Sequence, residues 1–296
     1  MHHEADNLTL TERAVGGYLG LAVGDALGAT VEFMTPREIL SVYGVHNKII
    51  GGGWLKLKPG QVTDDTTMAL ALGEAIIEES AINAYSIAKK FDNWMSSKPV
   101  DIGHTVRRGI IKFRQTGSVK MPVSDTDAGN GACMRLLPIA LATFTNGEDI
   151  MQANNKQAHI THNNPLSDAA GVCLIKMIHQ LFRNNSLSSL SDGPVKTLVD
   201  KHPEFNYQQE NMTNPSGYIV DTMCCVLQAL FSNKTFSSTV IDVVNRGGDA
   251  DTTGAITGMI AGCYYGVDNI PDYWLNKLDN NIKKACEYQA RQLIAL

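Results

Sequence analysis

Apolar residues along this chain recur at helical rather than alternating intervals. Ala69, Leu70, Leu72, Gly73, Ile76 and Ile77 follow an acidic doublet at spacings of three to four, which puts them on one helix face. The same spacing predicts helices over 84–95, 104–116, 131–144, 166–183, 217–231 and 281–295. Alternating runs are scarce, and Gly51-Gly52-Gly53 reads as a loop rather than a two-residue hairpin turn. Loops are expected where Pro, Gly, Asn and Ser gather, at 34–62, 97–103, 117–130, 184–194 and 202–216. None has the composition of an interdomain linker. The expectation is an all-α fold, a single compact multi-helix domain over 12–296 behind an N-terminal tail at 1–11.

Two of the helices carry glycine ridges. Gly16, Gly20, Gly24 and Gly28 recur every fourth residue, as do Gly254, Gly258, Gly262 and Gly266. An interior glycine costs about 1 kcal/mol relative to alanine, so such ridges call for a compensating close approach of neighbouring helices. Plain tight packing accounts for this much. Both ridges also adjoin acidic residues, Asp25 and Glu32 on one and Asp249 and Asp251 on the other.

Composition narrows the class. The chain is 296 residues long, 44% hydrophobic and 19% charged, with a net charge of −5. That balance suits a globular enzyme and argues against a nonspecific nucleic-acid or anionic-membrane binder, whose affinity rests on clustered Lys and Arg. The first ten residues lack a basic segment followed by an apolar run, so no signal peptide is expected, and His2 and His3 receive no role. The apolar stretch 254–267 is too short and too glycine-rich to insert into a bilayer. Cysteines 133, 173, 224, 225, 263 and 286 show no CxxC pairing and read as buried thiols of a reducing, cytoplasmic compartment.

The candidate chemistry lies in two acidic clusters. Thr63-Asp64-Asp65-Thr66 starts an apolar helix, and Gly248-Asp249-Ala250-Asp251-Thr252 starts a helix of small residues. One such cluster alone could be an acidic first turn with Thr63 as its cap. Two clusters that echo each other, Asp65-Thr66-Thr67 against Asp251-Thr252-Thr253, point further. Adjacent carboxylates are costly to desolvate unless something positive offsets them. The four carboxylates and several hydroxyls of the two helix starts make an oxygen-only donor set, which selects Mn2+ or Mg2+ over Zn2+ and has enough carboxylates for two ions.

Single residues add weaker signals. Glu32 follows Gly24-Asp25-Ala26-Leu27-Gly28, and its plain reading is a surface carboxylate at a helix end. Asp101 sits in a Pro-Val-Asp-Ile-Gly loop, where an Asx-turn is the default. Gly129-Asn130-Gly131 opens the helix predicted over 131–144 and could offer amides to phosphate or ribose oxygens. His162 is as compatible with a cap or a satisfied core site as with a ligand contact. No Walker A motif, full Rossmann fingerprint or Gly-x-Ser-x-Gly elbow is present.

Gly24-Asp25-Ala26-Leu27-Gly28, Thr63-Asp64-Asp65-Thr66, Gly129-Asn130-Gly131, Thr161-His162 and Gly247-Gly248-Asp249-Ala250-Asp251-Thr252 stand in the order found in ADP-ribosylglycohydrolases. The chain resembles that family from about residue 12 to 290. Gly51-Gly52-Gly53-Trp54-Leu55-Lys56-Leu57 and Tyr218-Ile219-Val220-Asp221-Thr222-Met223 resemble its members that act on the nitrogenase iron protein. The resemblance implies an all-α enzyme with two Mn2+ (or Mg2+) ions that hydrolyses the bond between ADP-ribose and an arginine side chain. It implies metal ligands at Thr63, Asp64, Asp65, Asp249, Asp251 and Thr252, and ADP-ribose contacts at Gly129, Asn130, Gly131, His162 and Tyr218. It brings Asp101 and Glu32 beside the metals and the ribose, with Asp101 as acid/base and Glu32 positioning water.

The substrate it implies is ADP-ribosylated nitrogenase iron protein, with a PII-type signalling protein as a regulatory partner. Two other functions stay open on the residues alone. One is a glycohydrolase for serine-linked or free ADP-ribose derivatives. The other is a non-catalytic ADP-ribose-binding protein, which would have no need of so many acidic ligands.

Overall fold

The computed structural model describes residues 8–296, so residues 1–7 of the expected tail, His2 and His3 among them, lie outside it. Its centre is helix α1 (Leu10–Gly28), buried from Arg13 onward and started by a capping box of Thr9 and Glu12. The chain continues through α2 (Pro36–Tyr43), α3 (Asp64–Glu79), α4 (Ala84–Ser96), α5 (His104–Thr116), α6 (Leu137–Asn146), α7 (Ile150–Ala158) and α8 (Pro165–Phe182). Then come the short α9 (Leu187–Leu190) and α10 (Lys196–Lys201), α11 (Ile219–Ser232), α12 (Phe236–Asn245), α13 (Ala250–Tyr265), α14 (Asp272–Leu275) and α15 (Asn280–Leu293). Among the described residues no β-strand forms, only isolated bridges at Gly52–Leu57 and Gly129–Tyr218. The fold is all-α.

The two glycine ridges meet. A Cβ on Gly16 would strike the carbonyl of Gly262, one on Gly20 that of Gly258, and one on Gly24 that of Gly254 at 1.9 Å. The pairing descends one helix as it climbs the other, so α1 and α13 lie antiparallel with backbones in contact. Burial of both helices on all sides compensates the entropy that the glycines cost. Gly266 falls outside the ridge: its φ of 77° ends α13. Arg13 donates to the carbonyls of Cys263 and Tyr264 at the same end, where a cation suits the helix dipole.

The antiparallel seam has a functional consequence. It lays the C-terminal end of α1, which carries Asp25 and leads to Glu32, against the N-terminal end of α13, which carries Asp249 and Asp251. Helices α3 and α15 pack on α1, while α11 and α12 pack on α13.

Three of the expected boundaries are corrected. The helix predicted over 131–144 begins only at Leu137, because the Asn130 carbonyl accepts from Cys133 and Met134 in a turn and Pro138 then starts the helix. The loop expected over 34–62 contains α2, started by Pro36 and by the Thr35–Glu38 capping box. The loop expected over 184–194 contains α9 behind Ser186 and runs through a π-turn, Ser191–Val195, into α10. In the two loops local capping chemistry outweighs the loop-like composition. Helices α7, α10, α12 and α14 lie outside the predicted helices.

Candidate active site

Helix α3 starts against a buried carboxylate. Thr63 stands at its N-cap but makes no capping bond with its side chain. Asp25 of α1 does that work instead. It accepts from the Thr63 amide (3.0 Å), the Thr66 amide (3.1 Å) and the Thr66 hydroxyl (2.5 Å). Asp25 is fully buried, and desolvation raises its pKa to about 6 against the lowering effect of these donors.

Helix α13 starts differently. Gly247 and Gly248 have φ of 73° and 66°, and the backbone there is held by Gly248 N–H to the Met34 carbonyl (3.0 Å) and Asp249 N–H to that of Pro215 (2.8 Å). Asn130 donates to Asp249 Oδ2 (2.6 Å) and to the Thr222 hydroxyl (2.9 Å). The two starts touch where the Thr252 hydroxyl donates to Asp65 Oδ2 at 3.3 Å.

The carboxylates converge on one cleft of about 400 Å³. Glu32, Asp64, Asp101, Asp249, Asp251 and Thr252 line it, and so do Gly129, Asn130, Gly131 and His162. Carboxylate oxygens of Glu32, Asp101 and Asp251 lie within 4.8 Å of one another. Thr63 and Asp65 are buried behind this surface, joined by a hydrogen bond of 3.2 Å. Tyr218 is not among the lining residues. It is half-exposed and meets the site through its backbone bridge to Gly129.

Burial dominates the electrostatics. Desolvation, with neighbouring carboxylates adding to it, raises Asp64 to about 7 and lifts Asp65 and Asp251 well above the usual carboxylate range. Glu32 is pushed up to about 8, again mainly by desolvation, although the Trp54 indole N–H donates to it at 2.6 Å. Asp101 and Asp249 are raised for the same reason. Asp65 Oδ1 is buried with no hydrogen-bond partner among the described residues. A group of carboxylates that repel one another, one oxygen orphaned, fits divalent cations and little else.

The opposite character appears at His162. Its ring packs against Gly129 and Gly131, and desolvation lowers its pKa to about 3, so it is neutral. Its Nδ1 lies 2.8 Å from the Thr161 hydroxyl, which also accepts from Arg135 Nη2 at 2.8 Å. Arg135 can only donate, and Nδ1 is the one acceptor near the Thr161 hydroxyl, so an Nδ1 that accepts that proton, with the imidazole hydrogen on Nε2, satisfies all three groups. Arg135 itself is fully buried over the Phe91 ring and tied to Gln157.

Sequence reasoning did not single out Asp25 as an organiser, nor Arg135, Phe33 or Trp54. An Asp inside an otherwise apolar glycine-ridged helix was a readable signal for Asp25. The other three had none, because their partners are remote in sequence.

This fold, with an acidic cleft built from two helix starts, is that of enzymes that hydrolyse ADP-ribosyl linkages. The chain matches the ADP-ribosylglycohydrolase family over residues 6–296 and belongs to it. It is 49% identical, over 96% of both chains, to the ADP-ribosyl-[dinitrogen reductase] glycohydrolase of Rhodospirillum rubrum. It is 32% identical to the ADP-ribosylarginine hydrolase Tri1 of Serratia proteamaculans, covering 90% of this chain and 75% of that one. A solved structure described as an ADP-ribosylglycohydrolase-related protein complex superposes with a TM-score of 0.85 at 30% identity, over 97% of this chain and 98% of that chain.

Proposed function

We propose that this chain is a divalent-metal-dependent hydrolase that removes ADP-ribose from an arginine side chain of a modified protein, the nitrogenase iron protein being the substrate. The observation that carries the chemistry is the group of mutually repelling carboxylates that line the cleft, with the orphaned Asp65 oxygen buried behind them. The linkage and the protein substrate are carried by the likeness to the Rhodospirillum rubrum and Serratia enzymes.

Thr63, Asp64, Asp65, Asp249, Asp251 and Thr252 would hold two Mn2+ or Mg2+ ions, since the donors are all hard oxygens. When bound, such ions polarise water and ribose hydroxyls. Asp101 receives the proton of the attacking water as its oxygen bonds to the anomeric carbon, and passes that proton to the guanidine nitrogen as the carbon–nitrogen bond breaks. Glu32, close to Asp101 and Asp251, orients that water. The surrounding carboxylates stabilise positive charge building on the sugar. His162 Nε2–H and the amides near Gly129, Asn130 and Gly131 take the diphosphate, with Tyr218 beside them. A PII-type protein as regulator rests on the same likeness. Six buried free cysteines support action in a reducing cytoplasm, and among the described residues no helix is long and apolar enough to cross a membrane.

The deciding experiment is release of ADP-ribose from ADP-ribosyl-arginine with and without Mn2+. Turnover that depends on the metal supports the proposal. Turnover on serine-linked peptides alone, or binding without product, overturns it.

A further inference from the structure

Beside the carboxylates, the cleft is walled by two aromatic rings that ordinary packing does not explain. Phe33 is 65% exposed and Trp54 52% exposed, with ring centroids 5.5 Å apart. Neither is loose. Phe33 has a φ of 62°, a left-handed conformation that a bulky residue keeps only when its surroundings enforce it. Its amide donates to the Gly248 carbonyl at 2.7 Å, tying it to the turn that carries Asp249. Trp54 rides on a small loop closed by reciprocal Gly52–Leu57 hydrogen bonds, and its indole N–H is fixed on Glu32. Strain and hydrogen bonds are thus spent on holding apolar rings in water at the cleft mouth.

We propose that Phe33 and Trp54 form the seat for the guanidinium of the modified arginine, a specificity site for the leaving group. The inference rests on the proposed function and adds the part of the substrate that ADP-ribose lacks. Charge decides what the rings receive. The two divalent cations would offset Asp64, Asp65, Asp249 and Asp251, which leaves Glu32 and Asp101 to set the sign at the mouth, and among the described residues no Lys or Arg lines the cleft. Such a field favours a planar cation over a neutral purine. Guanidinium groups stack on aromatic faces, tryptophan best of all, while their N–H groups remain free for carboxylates such as Glu32. A stacked guanidinium would also be held beside Asp101 and Glu32 as its bond to the sugar breaks.

Steady-state kinetics on ADP-ribosyl-arginine, with product inhibition by ADP-ribose, test this. Trp54→Ala should raise KM about tenfold while the ADP-ribose inhibition constant moves less than about twofold. Trp54→Phe keeps a ring but loses the indole N–H, and it should recover most of the KM. Phe33→Ala, which removes no side-chain hydrogen bond, should raise KM in the same direction. Equal weakening of substrate and ADP-ribose by Trp54→Ala would mean an adenine platform and overturn the inference. So would a Trp54→Phe enzyme as impaired as Trp54→Ala, since the hydrogen bond to Glu32 would then be the whole effect. A wild-type enzyme inactive on ADP-ribosyl-arginine overturns the functional proposal instead. The seat is then decided by titrating agmatine against tryptophan fluorescence, Trp94 and Trp274 being buried. A saturable change lost in Trp54→Phe supports the seat, and no change overturns it.

Discussion

The first turns of α3 and α13 carry the same Asp-Thr-Thr triplet, yet the protein secures them by unlike means. At α3 a buried carboxylate from another helix, Asp25, takes up the free amides of the first turn and a threonine hydroxyl. At α13 the equivalent work is shared among positive-φ glycines, backbone carbonyls and the amide side chain of Asn130, while the seam with α1 sets the helix in place. One start is braced by a charge that is itself costly to bury. The other is braced by neutral groups and close packing. Neither arrangement supplies a donor to Asp65 Oδ1, which keeps that oxygen for a cation.

The largest expected effect breaks the seam itself. Gly24→Val would drive a branched side chain into the Gly254 carbonyl, and no rotamer relieves a clash with backbone. A loss above about 4 kcal/mol is expected, read as loss of a cooperative thermal transition. A normal melt would show that the seam does not set the position of α13.

Next comes Asp251→Ala, at the start secured by neutral groups. Activity should fall about a thousandfold or more while the helical circular dichroism signal persists. Full activity with unchanged metal response would remove Asp251 from the ligand set. Asp101→Asn should lower kcat by about a hundredfold or more with little change in ADP-ribose affinity. An equal loss of both would make Asp101 a binding residue.

A paired measurement sharpens the contrast between the two starts. Asp25→Asn turns an amide N–H2 toward donors and should cost about 1–3 kcal/mol of stability together with activity. Asn130→Ala, on the α13 side, should cost less stability because glycine turns and backbone bonds remain. Equal losses would erase the asymmetry.

The smallest effect is on stability against pH without metal. Folded-state pKa values near 6 for Asp25, 7 for Asp64 and 8 for Glu32 lie above those of the unfolded chain. Across that window these carboxyls bind more protons in the folded state and outnumber the buried histidines such as His162, which pull the other way below about 6.5, so stability declines as pH rises from about 5 through about 8. The melting temperature of the metal-free protein should therefore fall over that range. Added Mn2+ should restore it most at the alkaline end, where the carboxylates are ionised. A rise in melting temperature with pH in chelator would contradict the electrostatics described here.

Much of the site was legible because its residues cluster locally. Asp64 and Asp65, Asp249 and Asp251, and Gly129 to Gly131 each sit within a few positions, and the structure brings their segments to one cleft. Tyr218 joins it through the backbone bridge to Gly129. The donor to Glu32 was not legible, since nothing near residue 32 names Trp54. Nor was the Arg135–Thr161–His162 relay, which needs a buried guanidinium to choose the tautomer of a histidine 27 positions away by way of its neighbour.

By itself the sequence determined what local periodicity and local chemistry can encode. These are the long helices, the two smooth glycine faces and the acidic starts that call for a positive partner. Only the tertiary structure decided which faces meet. Thr252 and Asp65 touch across 187 residues, and Asp25 braces a helix 38 residues on. The reason is physical: a helix repeat states which face is smooth or apolar, but the partner is selected by packing of the whole chain at once. That packing aimed Phe33 and Trp54 at the cleft instead of at the core.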